Sequence, residues 1–384
     1  MDEPQQGRTG GSPPGRLPAG WPLLLAIALV VGLVAGGVGG AVATMLVDDE
    51  EQAAPAAAIA GSAPATGAAT LSLNDGIARV FPAVVTVVAE LPDRLDAEGR
   101  VVSSNNIGSG IVVTDAGHVL TNFHVVQDAE RVIVVLSTGE RREAAVVGSD
   151  APYTDMAVLQ VAAGGLRRAE LGSARALRPG DPVAAIAGGL ISAENKVTTG
   201  VISALGVPWP RIGVVLEDLV QTDAAVNHGD SGGALVTAAG EVVGLLTTVV
   251  RLDPASRAME GVAFAQSTDS LGPALDAIVA TGSFARPRPG IEQPGRHHVE
   301  VTASLAQELS LPVSAGALLT AVEPGSPAAA VGLAAGDIVV GVNGRAIDSS
   351  HPLVNLLKPL PLASSAELLI VRDGREIVVT VSLA

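Results

Sequence analysis

The residue whose setting most suggests chemistry is Ser231, in the run Gly229-Asp230-Ser231-Gly232-Gly233. A serine hydroxyl acts as a nucleophile when a tight turn exposes its Oγ and gathers backbone N–H groups at one point. Glycine permits both, because it tolerates left-handed backbone and close approach. The same run would also serve as an ordinary glycine-rich hairpin turn, so the serine needs a base. Histidines stand at 118, 124, 228, 297, 298 and 351. His124, in TNFHVV (121–126), is flanked by apolar residues directly after the apolar run HVLT (118–121). His118 sits in a turn after Gly117, and His228 is too near Ser231 along the chain to approach its Oγ from the far side. His297, His298 and His351 fall in a later domain. An imidazole base needs a carboxylate to fix its tautomer and stabilise imidazolium. Asp155 opens an apolar strand from a turn in APYTDMAVLQV (151–161), while Asp128 and Asp150 compete from polar, surface-like surroundings. The chain has no cysteine and no His-x-x-x-His or acidic cluster at metal-ligand spacing. Disulfide scaffolds, thiol chemistry and cysteine-ligated metals are excluded, no metal or organic cofactor is implied, and nucleophilic catalysis by serine is the chemistry to test.

These three side chains lie far apart in sequence, so many short elements must bring them together. Between about 71 and 283 the chain reads as apolar runs broken by Gly, Asp or Pro: 83–90, 109–114, 131–136, 157–161, 182–187, 197–205, 240–250 and 261–265. Such runs at close spacing predict an all-β sandwich or a pair of barrels. Aromatics are 2% of the chain, so the core must be built from Val, Ala, Leu and Ile. TDSLGPALDAIVATG (268–282) has helical spacing and ends at Gly, which predicts a terminal helix. FARPRP (284–289) reads as a hinge, and residues 286–384, with helical stretches at 304–311 and 352–360, as a second, α+β domain.

The N-terminal region is of another kind. Residues 1–20 are polar and rich in Gly and Pro, as a disordered tail would be. Trp21 to Val47 carries no charge over 27 residues. A helix of that length spans roughly 40 Å, enough to cross a ~30 Å hydrocarbon layer. The alternative is a cleaved signal peptide with Ala41-Val42-Ala43 as its site, but such apolar regions are usually about 7–15 residues long. Arg8 and Arg16 precede the run and Asp48-Asp49-Glu50-Glu51 follows it, which places the N-terminus in the cytoplasm and the rest outside. Gly32, Gly36 and Gly40 could form a helix-packing face. Residues 48–70 read as a flexible tether, 71–285 as the catalytic domain. A formal charge of −16 argues against nucleic acid as a partner.

Together these segments resemble the HtrA/Deg family of serine proteases. The matching stretches are GSGIVVTDAGHVLTNFHVV (108–126), TDMAVLQV (154–161), VTTGVISALG (197–206), LEDLVQTDAAVNHGDSGGALV (216–236) and GVAFAQST (261–268). The last domain resembles the family's PDZ domain through Pro289-Gly290-Ile291 and AVEPGSPAAAVGLAAGDIVVGVNGRAI (321–347). The resemblance implies a chymotrypsin-like double β-barrel followed by PDZ, with Ser231 as nucleophile, His124 as general base and Asp155 as its orienting acid. The oxyanion hole would be the turn Gly229, Asp230, Ser231, with the N–H groups of 229 and 231 as donors. It also implies a membrane-tethered, extracytoplasmic endopeptidase for misfolded or unstructured proteins, acting in quality control or stress signalling, assembled as a homotrimer. The competing expectation is a catalytically weak binding or chaperone protein working through its PDZ domain.

Ala225 and Val226, six and five residues before Ser231, would line the specificity pocket. Enzymes that cut after Arg or Lys carry an acid six before the serine, so this chain should prefer small aliphatic side chains. In the PDZ domain, Pro289, Gly290 and Ile291 would capture a peptide C-terminal carboxylate, with the peptide added as a strand and Leu353, Leu356 and Leu357 lining its groove. Three features depart from the family. His228 stands where Pro or Arg is common, Asp230 where Asn is common, and AGGLISAEN (187–195) where G-N-P-F-G is usual. A carboxylate beside an oxyanion hole should point away from the cleft. In digestive relatives the equivalent acid pairs with a freed N-terminus, which a membrane-anchored chain does not offer.

Overall fold

The computed structural model describes residues 72–95, 101–102, 104–189, 194–211, 213–249 and 260–383. The expected polar tail (1–20), apolar span (21–47) and tether (48–70) lie outside the described residues. Among the described residues no helix is long and apolar enough to cross a membrane.

Six antiparallel strands form a closed barrel in the order Val84–Glu90, Asn105–Val112, His118–Asn122, Met156–Val161, Arg141–Ser149 and Arg131–Val135. A second sheet runs Ala234–Thr237, Pro182–Ala187, Lys196–Arg211, Val214–Thr222, Ala263–Ser267, Glu241–Val249 and the short Glu170–Leu171. An added pairing of Ala234–Thr237 with Glu241–Val249 closes six of these seven strands into a ring. The pair of barrels read from the sequence is therefore present. One core cluster holds Val85, Ile111, Leu120 and Leu159 of the first barrel together with Ile186, Val236 and Leu245 of the second. Met156–Val161 is buried at every position but Gln160, which is why it reads as a continuous apolar run rather than an alternating one.

The helix Thr268–Thr281 sits where its pattern predicts. The Ser267 hydroxyl accepts from the Asp269 N–H at its start, and Gly282, at φ +80°, receives its end. Leu271, Ala274, Leu275 and Ile278 recur at helical spacing and enter the shared core of the barrels.

The C-terminal sheet runs His298–Val301, Gly316–Leu319, Ile338–Val342, Ser364–Arg372 and Arg375–Leu383, with Arg345–Ala346 added to Ile338–Val342. Helical segments stand at Ala303–Glu308, overlapping the expected stretch 304–311 but starting one residue before it, and at Leu353–Leu357, within the expected 352–360. Residues 69–384 form one compact unit. Tyr153 and Val214, from the barrels, belong to the same core cluster as Ile291, Leu353 and Leu357. The expected hinge at 284–289 is pinned: Arg286 holds Asp150 with two hydrogen bonds of 2.8 and 2.9 Å, and the Tyr153 hydroxyl donates to the Pro287 carbonyl. Asp150, expected at the surface, is 1% exposed. Its polar neighbours in sequence conceal a partner 136 residues away.

Candidate active site

The carboxylate comes first, because the fold fixes it most firmly. Asp155 is buried at the entry to Met156–Val161. The helical turn Phe123–Val126 directs free backbone N–H groups at it: His124 N–H donates to Asp155 Oδ1 at 3.0 Å and Phe123 N–H to the Asp155 carbonyl at 3.0 Å. Asn122 Nδ2 donates to that same carbonyl at 2.9 Å. The turn's orphan donors are thus satisfied by the residue that the His124 side chain must meet. His124 Nδ1 lies 2.6 Å from Asp155 Oδ2. That oxygen also accepts from Thr247 Oγ1 at 3.0 Å and Arg211 Nη1 at 2.6 Å. Burial works to raise the Asp155 pKa, but the His124 hydrogen bond, the charges of His124 and Arg211 and the backbone N–H outweigh it. The carboxyl is held below its ordinary value, ionised at neutral pH.

Ser231 rests on a turn that only glycine can complete. Gly232 has φ +88°, and a Cβ there would stand 2.0 Å from the Ser109 carbonyl oxygen. The turn is tied to both barrels, through Ser109 N–H to the Ser231 carbonyl (2.7 Å) and Gly232 N–H to the Leu246 carbonyl (2.8 Å). Ser231 Oγ donates to the Thr247 carbonyl at 3.5 Å. Among the described residues no hydrogen bond joins Ser231 Oγ to the His124 ring. Both nevertheless line one cavity of about 370 Å³, with Asn106, Ile107, Val226 and Gly229. Long or unmade catalytic hydrogen bonds are common in unliganded hydrolases.

The remaining expected residues divide. Gly229 lines the cavity, whereas Asp230 is buried and absent from its lining, and the Asp230 N–H is taken by the Asn227 carbonyl at 3.1 Å. Of the three expected oxyanion-turn residues, Gly229 and Ser231 line the cavity and Asp230 does not. Val226 faces the cavity and Ala225 does not. In the C-terminal domain, Pro289 has no N–H, and the N–H groups of Gly290 and Ile291 both donate to Glu292 Oε2, at 2.8 and 3.0 Å. The carboxylate nest is filled by the chain's own carboxylate. Leu353, Leu356 and Leu357 are buried in the core cluster that also takes in Tyr153 and Val214, rather than standing open along a groove. Asn355, between them, donates to the Val215 carbonyl (2.9 Å) and accepts from the Val215 N–H (2.8 Å), so this helix is docked on the second barrel.

Sequence reasoning missed Thr247, Arg211 and Glu292. Thr247 carried a weak signal, as a polar residue inside the apolar run GEVVGLLTTVV. Arg211 carried none.

Residues 108–245 match the trypsin-like peptidase domain family and residues 318–372 the PDZ domain family. The chain is 35% identical over 295 residues to a probable periplasmic serine endoprotease, DegP-like, of Halomonas elongata, covering 77% of this chain and 60% of that one. It is 31% identical over 306 residues to the serine endoprotease DegS of Haemophilus influenzae, covering 79% and 85%. It spans 56% of a second DegP-like relative, from Pseudomonas savastanoi, so the DegP-like proteins extend well beyond the matched region. Among solved structures, the HtrA-type protease AlgW with a decapeptide superposes at TM-score 0.54 and 30% identity, covering 81% of this chain and 98% of the other. The serine endoprotease from Yersinia pestis does so at 0.51 and 30%, covering 81% and 97%.

Proposed function

The chain belongs to the HtrA/Deg family of serine proteases, and from that membership we propose that it is a serine endopeptidase acting on unfolded or misfolded polypeptides outside the cytoplasm. Ser231 attacks the scissile carbonyl, His124 takes its proton and later returns it to the leaving amine, and Asp155 holds the imidazole and stabilises its charged form. The N–H groups of Gly229 and Ser231 receive the developing oxyanion. The observation that carries this reading is the His124 Nδ1–Asp155 Oδ2 contact of 2.6 Å on a cavity that Ser231 shares.

Several finer parts of the reading rest on sequence. The charge-free run 21–47 tethers the protein to the membrane with its N-terminus in the cytoplasm. Val226 on the cavity wall and the lack of an acid at 225 favour small aliphatic residues before the cut. The family's habit supports a trimer and a role in protein quality control or stress. The C-terminal domain receives peptide C-termini, and a ligand carboxylate entering its nest must first displace Glu292.

A second reading has one observation behind it: Ser231 Oγ is turned to Thr247 and not to His124. On that reading the molecule binds unfolded chains with little catalysis. Hydrolysis of casein, together with labelling by a fluorophosphonate probe, separates the two. The protease reading expects both for the full chain and neither for Ser231→Ala. Equal casein protection from aggregation by both chains, with no labelling, would favour the second.

A further inference from the structure

The residue next to the nucleophile presents a problem that the catalytic reading leaves unsolved. Asp230 is 5% exposed, and an isolated buried carboxylate is costly in a protein interior. Its position makes that cost matter for chemistry. Asp230 Oδ2 accepts from the Asn227 N–H at 2.7 Å, the Asp230 N–H donates to the Asn227 carbonyl at 3.1 Å, and the Gly233 N–H donates to the Asp230 carbonyl at 2.9 Å. Side chain and backbone of this one residue therefore clamp the turn 227–233, which carries Gly229 and Ser231. A carboxylate that swung out to water would release the Asn227 N–H and open the turn.

The Asp230 carboxylate forms an ion pair with Lys196 Nζ, whose side chain is half-buried. Lys196 opens the strand Lys196–Arg211 and is paired in register with Ala187. The residue before it, Asn195, anchors the chain by donating from Nδ2 to the carbonyls of Phe81 (2.9 Å) and Val84 (2.8 Å). The ammonium thus comes from a fixed backbone position. Lys196 stands directly after the segment 187–195, whose sequence departs from the family, and it meets Asp230, which departs as well.

We infer that Lys196 is a positioning residue for the oxyanion turn: it supplies, from inside the folded chain, the cation that keeps the Asp230 carboxylate buried and the Gly229 and Ser231 N–H groups gathered. The cation then comes from the folded chain itself and not from a newly freed chain terminus. The inference deepens the protease reading and rests on it.

The test compares four forms of the full chain: wild type, Lys196→Met, Asp230→Asn and the double variant. Each is measured for kcat and KM on a fluorogenic peptide with an aliphatic residue before the cut, and for the rate of fluorophosphonate labelling. Lys196→Met should lower kcat at least tenfold with KM within about twofold, and slow labelling in parallel. Lys196→Arg should keep kcat within about threefold of wild type. The decisive form is the double variant, because a neutral Asn needs no cation. It should match Asp230→Asn alone within about threefold, and it remains informative even if Lys196→Met fails to fold. Lys196→Met with kcat within twofold of wild type, or a double variant as impaired as Lys196→Met, would overturn the inference and leave the protease reading intact. A wild-type chain that neither cleaves nor labels would defeat both.

Discussion

Asp155 shows how much work a single oxygen can do. Its Oδ2 accepts from His124, Thr247 and Arg211, drawn from three separate elements. Asp155→Asn keeps the shape but presents an amide where the imidazole needs an acceptor, so the wrong tautomer is favoured. By analogy with other serine hydrolases kcat should fall by about 10⁴-fold, which single-turnover measurements on a peptide ester can check. The same variant tests the electrostatics. The folded carboxyl lies below its ordinary value, so the ionised group favours folding above that value. The contribution is lost as pH falls through the lower, folded value, below about pH 4. Thermal melts should therefore show a gap in Tm between wild type and Asp155→Asn that is present at pH 5 and narrows toward pH 3. A gap that stays constant to pH 3 would mean the shift is absent. Ser231, His124 and Asp155 could be proposed from the sequence because the chemistry dictates their types and the glycine-rich turn marks one of them. The contacts of Thr247, Arg211 and Lys196 could not, because they arise only where strands distant in the chain converge.

At the scale of elements, turns and caps explain what was readable. Runs buried on both faces, such as Met156–Val161, announce themselves, and so does a helix with a Ser cap and a terminal Gly. Arg141–Ser149 and Val214–Thr222 did not, since charged or exposed residues interrupt their apolar pattern while the partners across the sheet supply the pairing. The nest at Gly290 and Ile291 is the sharper case. Its residues were found, yet the acceptor filling it sits one residue further on, at Glu292. A carboxylate on both N–H groups competes directly with a ligand carboxylate. Glu292→Ala should raise affinity for a peptide with a free C-terminus at least tenfold, measured by fluorescence anisotropy on the full chain. The same peptide amidated should gain nothing. Equal affinities for wild type and variant would show that the internal carboxylate is no barrier.

For the whole molecule, the question is whether the barrels and the C-terminal domain are independent bodies joined by a hinge, as the Pro- and Arg-containing segment 284–289 suggests on paper. The contacts argue otherwise. Val214 and Tyr153 sit in the core of the C-terminal domain, Asn355 completes both polar groups of Val215, Lys358 pairs with Glu217 at 2.7 Å, and Arg286 neutralises an Asp150 that is almost wholly buried. Composition could not reveal this, because each partner is ordinary in its own sequence neighbourhood. Removing Arg286 strands a buried carboxylate. Loss of one member of such a pair typically costs about 3–5 kcal/mol. Wild type should then unfold in a single calorimetric transition, while Arg286→Ala should lower the first transition and separate the two domains into distinct steps. Asn355→Ala, which gives up two hydrogen bonds worth about 1 kcal/mol each, should shift the transition by less and in the same direction. Two transitions already present in the wild-type chain, unmoved by Arg286→Ala, would restore the hinge and make the docked arrangement one of several.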